Sequence, residues 1–431
     1  MKYILRKSVA ILLSLEARMI MKKYKPKIVA VTGNVGKTTT KDAIFSVLEV
    51  GRHVRKSEKS FNNEIGIPLA IIGAHNPWWN IGKWIQVFLQ GLSLIFLKHE
   101  YPVWLVLEVG ADRPGDIKKI ASWLRPNIVV VTRIADVPVH VEYFKSREDL
   151  IVEKQYLVRV LEENGLLIVN RDDDDAYAMR KLFSGQVISF GFHEGASVQA
   201  DYCKLFFDAG SKPLGIVFKV AYDNHTIEIK LQGTLGFGQA YAALPALAIG
   251  AASNIKVEDM LEALAKHVSP PGRMKLLEGV KNSLIIDDSY NASPVAVENA
   301  LTALNELTCK GKKIVMLGDM LELGKYSVEE HKRIGALVAK GVDRLMTIGL
   351  RARGIVEGAL DNGMDEKVIT QFDDSREAGK QLAIDLQEGD IVLIKGSQMM
   401  RMERAVEEAM AHPELKETLL VRQDPQWLKI P

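Results

Sequence analysis

The stretch VTGNVGKTTTK at residues 31–41 constrains the fold of this chain more than any other. An apolar run, Ile28-Val29-Ala30-Val31, precedes it and a helical pattern follows, so it reads as strand, glycine turn and helix. Gly33 and Gly36 let the backbone wrap an anion with its N–H groups, and the helix that follows adds its positive end. Lys37 offers a charge to phosphate oxygens and Thr38 a hydroxyl to Mg2+; Asn34 and Thr39 complete the candidate phosphate-binding set. The spacing GxxGKT is tighter than the common GxxxxGK[ST].

Around this loop the chain alternates between strand and helix patterns. KIVAVTG, VWLVLEVG, NIVVVTRI, GLLIVN and QVISFG are apolar runs separated by helical stretches, which predicts a parallel sheet with crossover helices. From Ala196 to about Leu235 the pattern changes to short alternating strands, GIVFKVAY and TIEIKLQG among them, predicting an added antiparallel sheet. AYAALPALAIGAA and a second helix near 258–267 follow, and Pro270-Pro271-Gly272 punctuates the chain. Beyond it LIIDD, KIVMLGD, DRLMTIG, KVITQF and DIVLIKG again alternate with helices. The expected division is 1–27, a basic helix; 28–270, a central α/β domain with the phosphate loop; and 271–431, a C-terminal Rossmann-like α/β domain.

Two segments stand outside that plan. Residues 1–27 hold eight Lys and Arg against Glu16 alone, a net of +7 that leaves −5 for the rest of a chain whose net charge is +2. On a helical wheel Arg6, Lys7, Ala10, Ser14, Ala17 and Arg18 fall opposite Leu5, Val9, Leu12, Leu13 and Ile20, which predicts a basic amphipathic helix and no cleavable signal peptide. Residues 76–102, NPWWNIGKWIQVFLQGLSLIFLKHEYP, are mostly apolar, with Asn76 and Pro77 placed as a helix start. Its glutamines and glycines suit an interfacial or docked helix better than a bilayer span. The small net charge excludes nucleic acid as an expected partner. Cys203 and Cys309, the only cysteines, form no metal-ligand spacing, which fits a reducing cytoplasm.

Several polar residues end apolar strands. Glu108 closes VWLVLE, where an α/β nucleotide-binding protein holds its metal, although a strand-end carboxylate taken singly is more often merely solvated. Asp287, Asp288 and Asp319 take the same position in the C-terminal half. His140 and Lys154, taken alone, read as surface or core residues.

Together these motifs resemble the Mur ligases. FNNEIGIPL at 61–69, LEVGADRPGDI at 107–117, HVEYFKSRE at 140–148, PGRM at 271–274, DDSYNASP at 287–294, LGDMLELG at 317–324 and KGSQMMRMER at 395–404 carry the resemblance in the right order. The resemblance implies an ATP-dependent carboxylate–amine ligase working through an acyl phosphate. Its partners would be a peptide or amino-sugar-peptide acceptor of the cell wall and an amino acid or D-Ala-D-Ala dipeptide. It implies ATP and Mg2+ at Lys37 and Thr38, and a second metal at Glu108 and His140. Lys154 matches the lysine the family carbamylates, and Arg273 the linker arginine that contacts phosphates. Tyr290 and Asn291 are implied at the nucleotide, and Asn62, Asn63, Asp319, Lys395, Ser397 and Arg401 at the substrates.

Two departures stand out. The chain reads GTLGFGQAYAA from Gly233 where relatives have GxHN, and only 27 residues precede the first strand where relatives carry a uridine-nucleotide domain. The expectation is that this domain is absent, with the enzyme cytoplasmic and peripheral contact at the inner membrane face through residues 1–25 and 76–102. The alternatives are a ligase for a folate or amino-acid chain, or a P-loop switch without ligation.

Overall fold

The computed structural model of the protein describes residues 2–58, 61–137, 140–209, 212–222 and 225–429. They form two sheets, of nine and six strands. The first contains β1 (Lys27–Thr32), β2 (Val54–Lys56), β3 (Trp104–Glu108), β4 (Ile128–Val131), β5 (Leu166–Asn170), β6 (Gln186–Gly191), β7 (Val198–Phe207), β8 (Pro213–Tyr222) and β9 (His225–Gln232). Its order is β2-β3-β1-β4-β5-β6-β7-β8-β9. From β2 to β7 every pairing is parallel. Helices cover both faces, so β3, β4 and β5 are buried along their whole length and read in sequence as unbroken apolar runs.

The alternating strands make the antiparallel addition expected from their pattern, as a continuation of the same sheet. β7 pairs in parallel with β6 through Phe190↔Val198 and Gly191↔Gln199, and β8 and β9 then extend the same sheet antiparallel. Alternation reports only that one face of β7–β9 is wet; it carries no information about which strand they join.

The second sheet contains β10 (Lys275–Glu278), β11 (Leu284–Asp288), β12 (Lys313–Gly318), β13 (Arg344–Ile348), β14 (Ile369–Phe372) and β15 (Ile391–Lys395), in the order β10-β11-β15-β12-β13-β14. All its pairings are parallel except that of β10 with β11.

The helices that matter for function are α1 (Lys2–Tyr24), α2 (Lys37–Leu48), α3 (Gly66–Ile72), α4 (Ile81–Phe96), α5 (Asp116–Ala121) and α6 (Arg147–Arg159). The wheel reading of α1 is corrected. Ala10, Leu13, Ala17 and Ile20 are the buried apolar positions, while Leu12 lies about half exposed. Two of the buried residues are alanines, whose small side chains let α1 approach α3 closely; in a helix apolar over most of its circumference, composition does not single out one face. Leu5 lies outside the residues whose side chains are described. The start of α4 is corrected too. The Asn76 side chain accepts from Trp78 N, the chain turns through Trp78 at φ 52°, and Asn80 caps the helix by accepting from Lys83 N at 3.0 Å.

Candidate active site

The strand order decides where the site lies. β1 sits between β3 and β4 and its crossovers leave to both sides, so the crevice at its C-terminal end is a topological switch point. Val31 is in register with Glu108 of β3, and Thr32 with Val131 of β4, so the phosphate loop leaves the sheet between a carboxylate and a threonine pair.

The loop is shaped by its glycines. Gly33 has φ 141°, and a Cβ there would lie 2.0 Å from Thr132 Oγ1, so only glycine passes. Thr132 Oγ1 donates to Val35 O at 2.8 Å, and Val35 bridges to Arg133, fixing the loop to the end of β4. Gly36, at φ 85°, turns the chain into α2 with no side-chain cap, which leaves first-turn N–H groups open to an anion.

Five candidate residues meet at this loop: Lys37, Thr38, Glu108, Lys154 and Arg273. Thr38 Oγ1 donates to Glu108 Oε2 at 2.8 Å. Arg273 Nη2 donates to Thr38 Oγ1 at 3.4 Å and its guanidinium lies 4.0 Å from the Tyr290 ring centroid, bringing the segment before β10 onto the loop. Lys37 Nζ donates to Asn34 O at 3.4 Å, and Lys154 Nζ to Gly33 O at 3.0 Å. Asn62 Nδ2 lies 3.5 Å from Glu108 Oε1, at the outer limit of a hydrogen bond. Thr39 is buried in the first turn of α2, and Asn63 Oδ1 accepts from Ile65 N and Gly66 N to start α3.

Lys154 is placed by α6. Ser146 caps that helix and Glu148 and Asp149 lie in its first turn, where the helix dipole favours negative charge. Leu150, Glu153, Lys154, Leu157 and Val158 form its buried stripe, so the amine is carried inward among apolar side chains. Burial, and secondarily the Lys37 charge, lowers the Lys154 pKa to about 7, with Glu153 opposing. Burial also lowers that of Lys37, against the attraction of Glu108. Glu153 is occupied elsewhere, accepting from Gly115 N and Lys118 N at the start of α5.

His140 does not meet Glu108. Its Nε2 lies 3.5 Å from Asp112 Oδ1, and its Nδ1 lies 2.7 Å from Glu322 Oε2 but off the direction of a hydrogen bond. Among the described residues no group of three or more His, Cys, Asp or Glu is assembled for a metal ion. A hydroxyl and one carboxylate nevertheless fit Mg2+, which takes few protein ligands and fills its octahedron with water and phosphate oxygens.

The remaining candidates lie at the strand ends of the second sheet. Lys395 Nζ donates to Asp288 Oδ2 at 2.5 Å and to Asn291 O at 2.8 Å. Asn291 Oδ1 accepts from Gln398 N. Asp319 Oδ1 accepts from Ala352 N, and Ser397 Oγ from Leu321 N, so both side chains order loops here. Arg401 is buried and bonds Glu403 at 2.6 Å and Trp427 O at 3.0 Å. Asp287, a strand end for which solvated and functional readings stand even, is buried and accepts from Gly272 N at 3.0 Å; burial raises its pKa to about 6. Sequence reading missed Ser57, which accepts from Glu108 N, and Gln239, whose Nε2 donates to Ser269 Oγ and Arg273 O at 3.0 Å each. Gln239 stands in the stretch that departs from the GxHN pattern, and the departure itself was the signal.

Two family models match this chain: the Mur ligase middle domain over residues 90–250, and the Mur ligase glutamate ligase domain over 272–398. The chain belongs to the Mur ligases. Among curated Mur ligases, the UDP-N-acetylmuramoyl-tripeptide–D-alanyl-D-alanine ligase of Bacillus subtilis is 29% identical over 400 residues, covering 92% of this chain and 79% of that protein. The enzyme of the same name from Escherichia coli K12 is 26% identical over 395 residues, covering 90% and 78%. The crystal structure of the MurF ligase of Thermotoga maritima in complex with ADP superposes with a TM-score of 0.75 at 28% identity, covering 93% of this chain and 83% of that one.

Proposed function

We propose that this Mur ligase is an ATP-dependent carboxylate–amine ligase that adds D-Ala-D-Ala, or a single amino acid, to an amino-sugar-peptide acceptor of the cell wall. The observation that carries the reading is the convergence of Lys37, Thr38, Glu108, Lys154 and Arg273 on one glycine loop. The names of the curated relatives and the ADP in the Thermotoga neighbour support the choice of dipeptide and nucleotide.

The chemistry needs what these residues supply. A carboxylate cannot lose oxide to an amine; when its oxygen takes the γ-phosphoryl group of ATP, releasing ADP, the amine attacks the acyl carbon and phosphate leaves with the oxygen. Lys37, Arg273 and the open N–H groups of α2 stabilise charge on the phosphoryl oxygens. We assign Thr38 to a first Mg2+, and Glu108, His140 and a carbamylated Lys154 to a second; bound there, the ions would neutralise phosphate charge. A Lys154 pKa of about 7 leaves much of the amine neutral at physiological pH, the form that adds CO2 and loses a proton to become a carbamate. Asn62 and Asn63 are assigned to the acceptor side, Tyr290 and Asn291 to the nucleotide, and the loops ordered by Asp319, Lys395, Ser397 and Arg401 to the incoming amine. We place the enzyme in the cytoplasm, with α1 and α4 turned towards the inner face of the membrane.

Phosphate release should require both an acceptor carboxylate and an amine, and mass spectrometry should find one amide product per phosphate. Hydrolysis indifferent to both substrates would overturn the ligase reading in favour of a nucleotide switch.

A further inference from the structure

Two helices on one face of the nine-stranded sheet carry apolar surface on their outer side. On α1, Ile11, Leu12, Leu15 and Met19 lie on the flank opposite the buried Leu13, Ala17 and Ile20. On α4, Ile81, Ile85, Leu89, Leu92 and Phe96 recur at steps of three or four residues, one helical stripe, and are 42–76% exposed. The inner flank of α4, Val87 and Leu94, is buried in the same core as α1. Each helix is thus apolar on two opposite sides.

The two helices adjoin. Lys23 Nζ donates to the carbonyl oxygens of Leu94 at 2.8 Å and Ile95 at 3.0 Å, and the Tyr24 hydroxyl to Leu94 O at 3.0 Å. A Cβ on Gly91 would lie 2.1 Å from Glu16 Oε2, so α4 passes close over α1 at that point. The buried sides of both helices join one core on this face of the sheet, and both stripes stay exposed. Single exposed hydrophobic residues are ordinary on a soluble protein, whereas contiguous stripes of this extent mark an interaction surface.

The charge around the stripes selects the occupant. Residues 2–25 hold seven Lys and Arg against the buried Glu16, and residues 76–102 hold Lys83 and Lys98 against Glu100. A second copy placed on this face would bring like charges together, whereas acidic headgroups would neutralise them. Among the described residues no helix is long and apolar enough to cross a membrane, so contact along the helix axes is the geometry available. Trp79, 81% exposed just before α4, has the side chain favoured at the boundary of headgroup and hydrocarbon.

We propose that the outer flanks of α1 and α4 form a docking surface for an anionic lipid bilayer, on which the protein lies peripherally. This rests on the cytoplasmic placement above and not on the ligation chemistry. At low salt the full chain should float with phosphatidylcholine vesicles containing roughly one-third phosphatidylglycerol, far less with phosphatidylcholine alone, and less as salt screens the rim. Ile85→Glu with Leu89→Glu, both at exposed positions, should keep the circular dichroism of the parent and lower the bound fraction at least ~10-fold. Substrate-dependent phosphate release by that variant without vesicles should match the parent, separating loss of docking from loss of the enzyme. The parent remaining soluble with anionic vesicles at low salt would overturn the proposal. So would a vesicle-free dimer that the double variant dissociates, since the flank would then be a self-interface. Flotation without ligation would overturn the ligase reading and leave the docking surface standing.

Discussion

Buried charges at the strand ends of the two sheets are treated in opposite ways. Behind the second sheet Lys395 meets Asp288 at 2.5 Å, and Glu403 meets both Arg401 at 2.6 Å and Arg422 at 2.7 Å, while Asp287 and Asp319 are held by backbone N–H groups. At the phosphate loop Lys37 and Lys154 reach only backbone carbonyls, Glu108 accepts from a hydroxyl, and the Nε of Arg273 is buried without a partner. A buried charge without a counter-charge is costly to keep. Fold architecture would have paired or discarded these groups; a site that waits for phosphate and metal charge would not. The comparison separates charges that hold the chain together from charges held for a ligand.

The largest effect expected from breaking this division is at Lys37. Lys37→Ala should lower acceptor-dependent phosphate release by about 10³-fold, as loss of a charge on transferring phosphoryl oxygens does, while the melting temperature stays that of the parent. Near-normal turnover would remove this loop from the chemistry. Glu403→Ala should act on the fold. It leaves Arg401 and Arg422 buried without their carboxylate, so urea unfolding should show a loss of about 3 kcal/mol, a stability effect that Lys37→Ala lacks.

Lys154→Ala comes next, with an expected loss of about 10²-fold that added short carboxylates partly restore, because they replace the carbamate. Its stability should not fall, since an uncompensated buried amine has been removed. The pH dependence has a definite sign. A lysine held at about 7 when folded and near its ordinary value when unfolded binds fewer protons in the native state between those values. Its share of stability therefore rises with pH across that window, and activity that needs the neutral amine falls as pH drops through about 7. A flat profile there, together with an active alanine variant, would return Lys154 to the class of structural charges.

The glycine loop, the strands and Glu108 were legible because parallel strands buried on both faces leave unbroken apolar runs and the phosphate loop must stand where one ends. Lys154 entered through family resemblance. The local signal was nevertheless present, since Leu150, Glu153, Lys154, Leu157 and Val158 share one helical stripe and two of them are charged. The surroundings of His140 were not legible: Glu322 reaches it from the second sheet, and no local pattern encodes a contact across that separation. The outward stripes of α1 and α4 were hidden for a different reason. Wheels assign one apolar face per helix, and these helices have two.

The smallest effect sharpens the comparison at its boundary, where a neutral side chain serves a charged one. Gln239 lies in the helix after β9, and its buried amide spans Ser269 Oγ and the carbonyl of Arg273. Ser269 Oγ itself donates to Arg273 O at 2.8 Å, so two donors fix the backbone of the residue that reaches Thr38. Gln239→Ala removes one of them and leaves the carbonyl satisfied by the other, so about 1 kcal/mol of stability should be lost, without the penalty of an orphaned acceptor. If Arg273 acts on the nucleotide from a backbone held this way, KM for ATP should rise by about 5-fold while kcat changes little, because ground-state and transition-state contacts loosen together. Gln239→Glu should be worse than alanine: its carboxylate would face the Arg273 carbonyl oxygen with no proton to donate. An alanine variant with unchanged KM and a fall in melting temperature would make Gln239 a packing residue only, and would move the boundary between architecture and site inward to Arg273 itself.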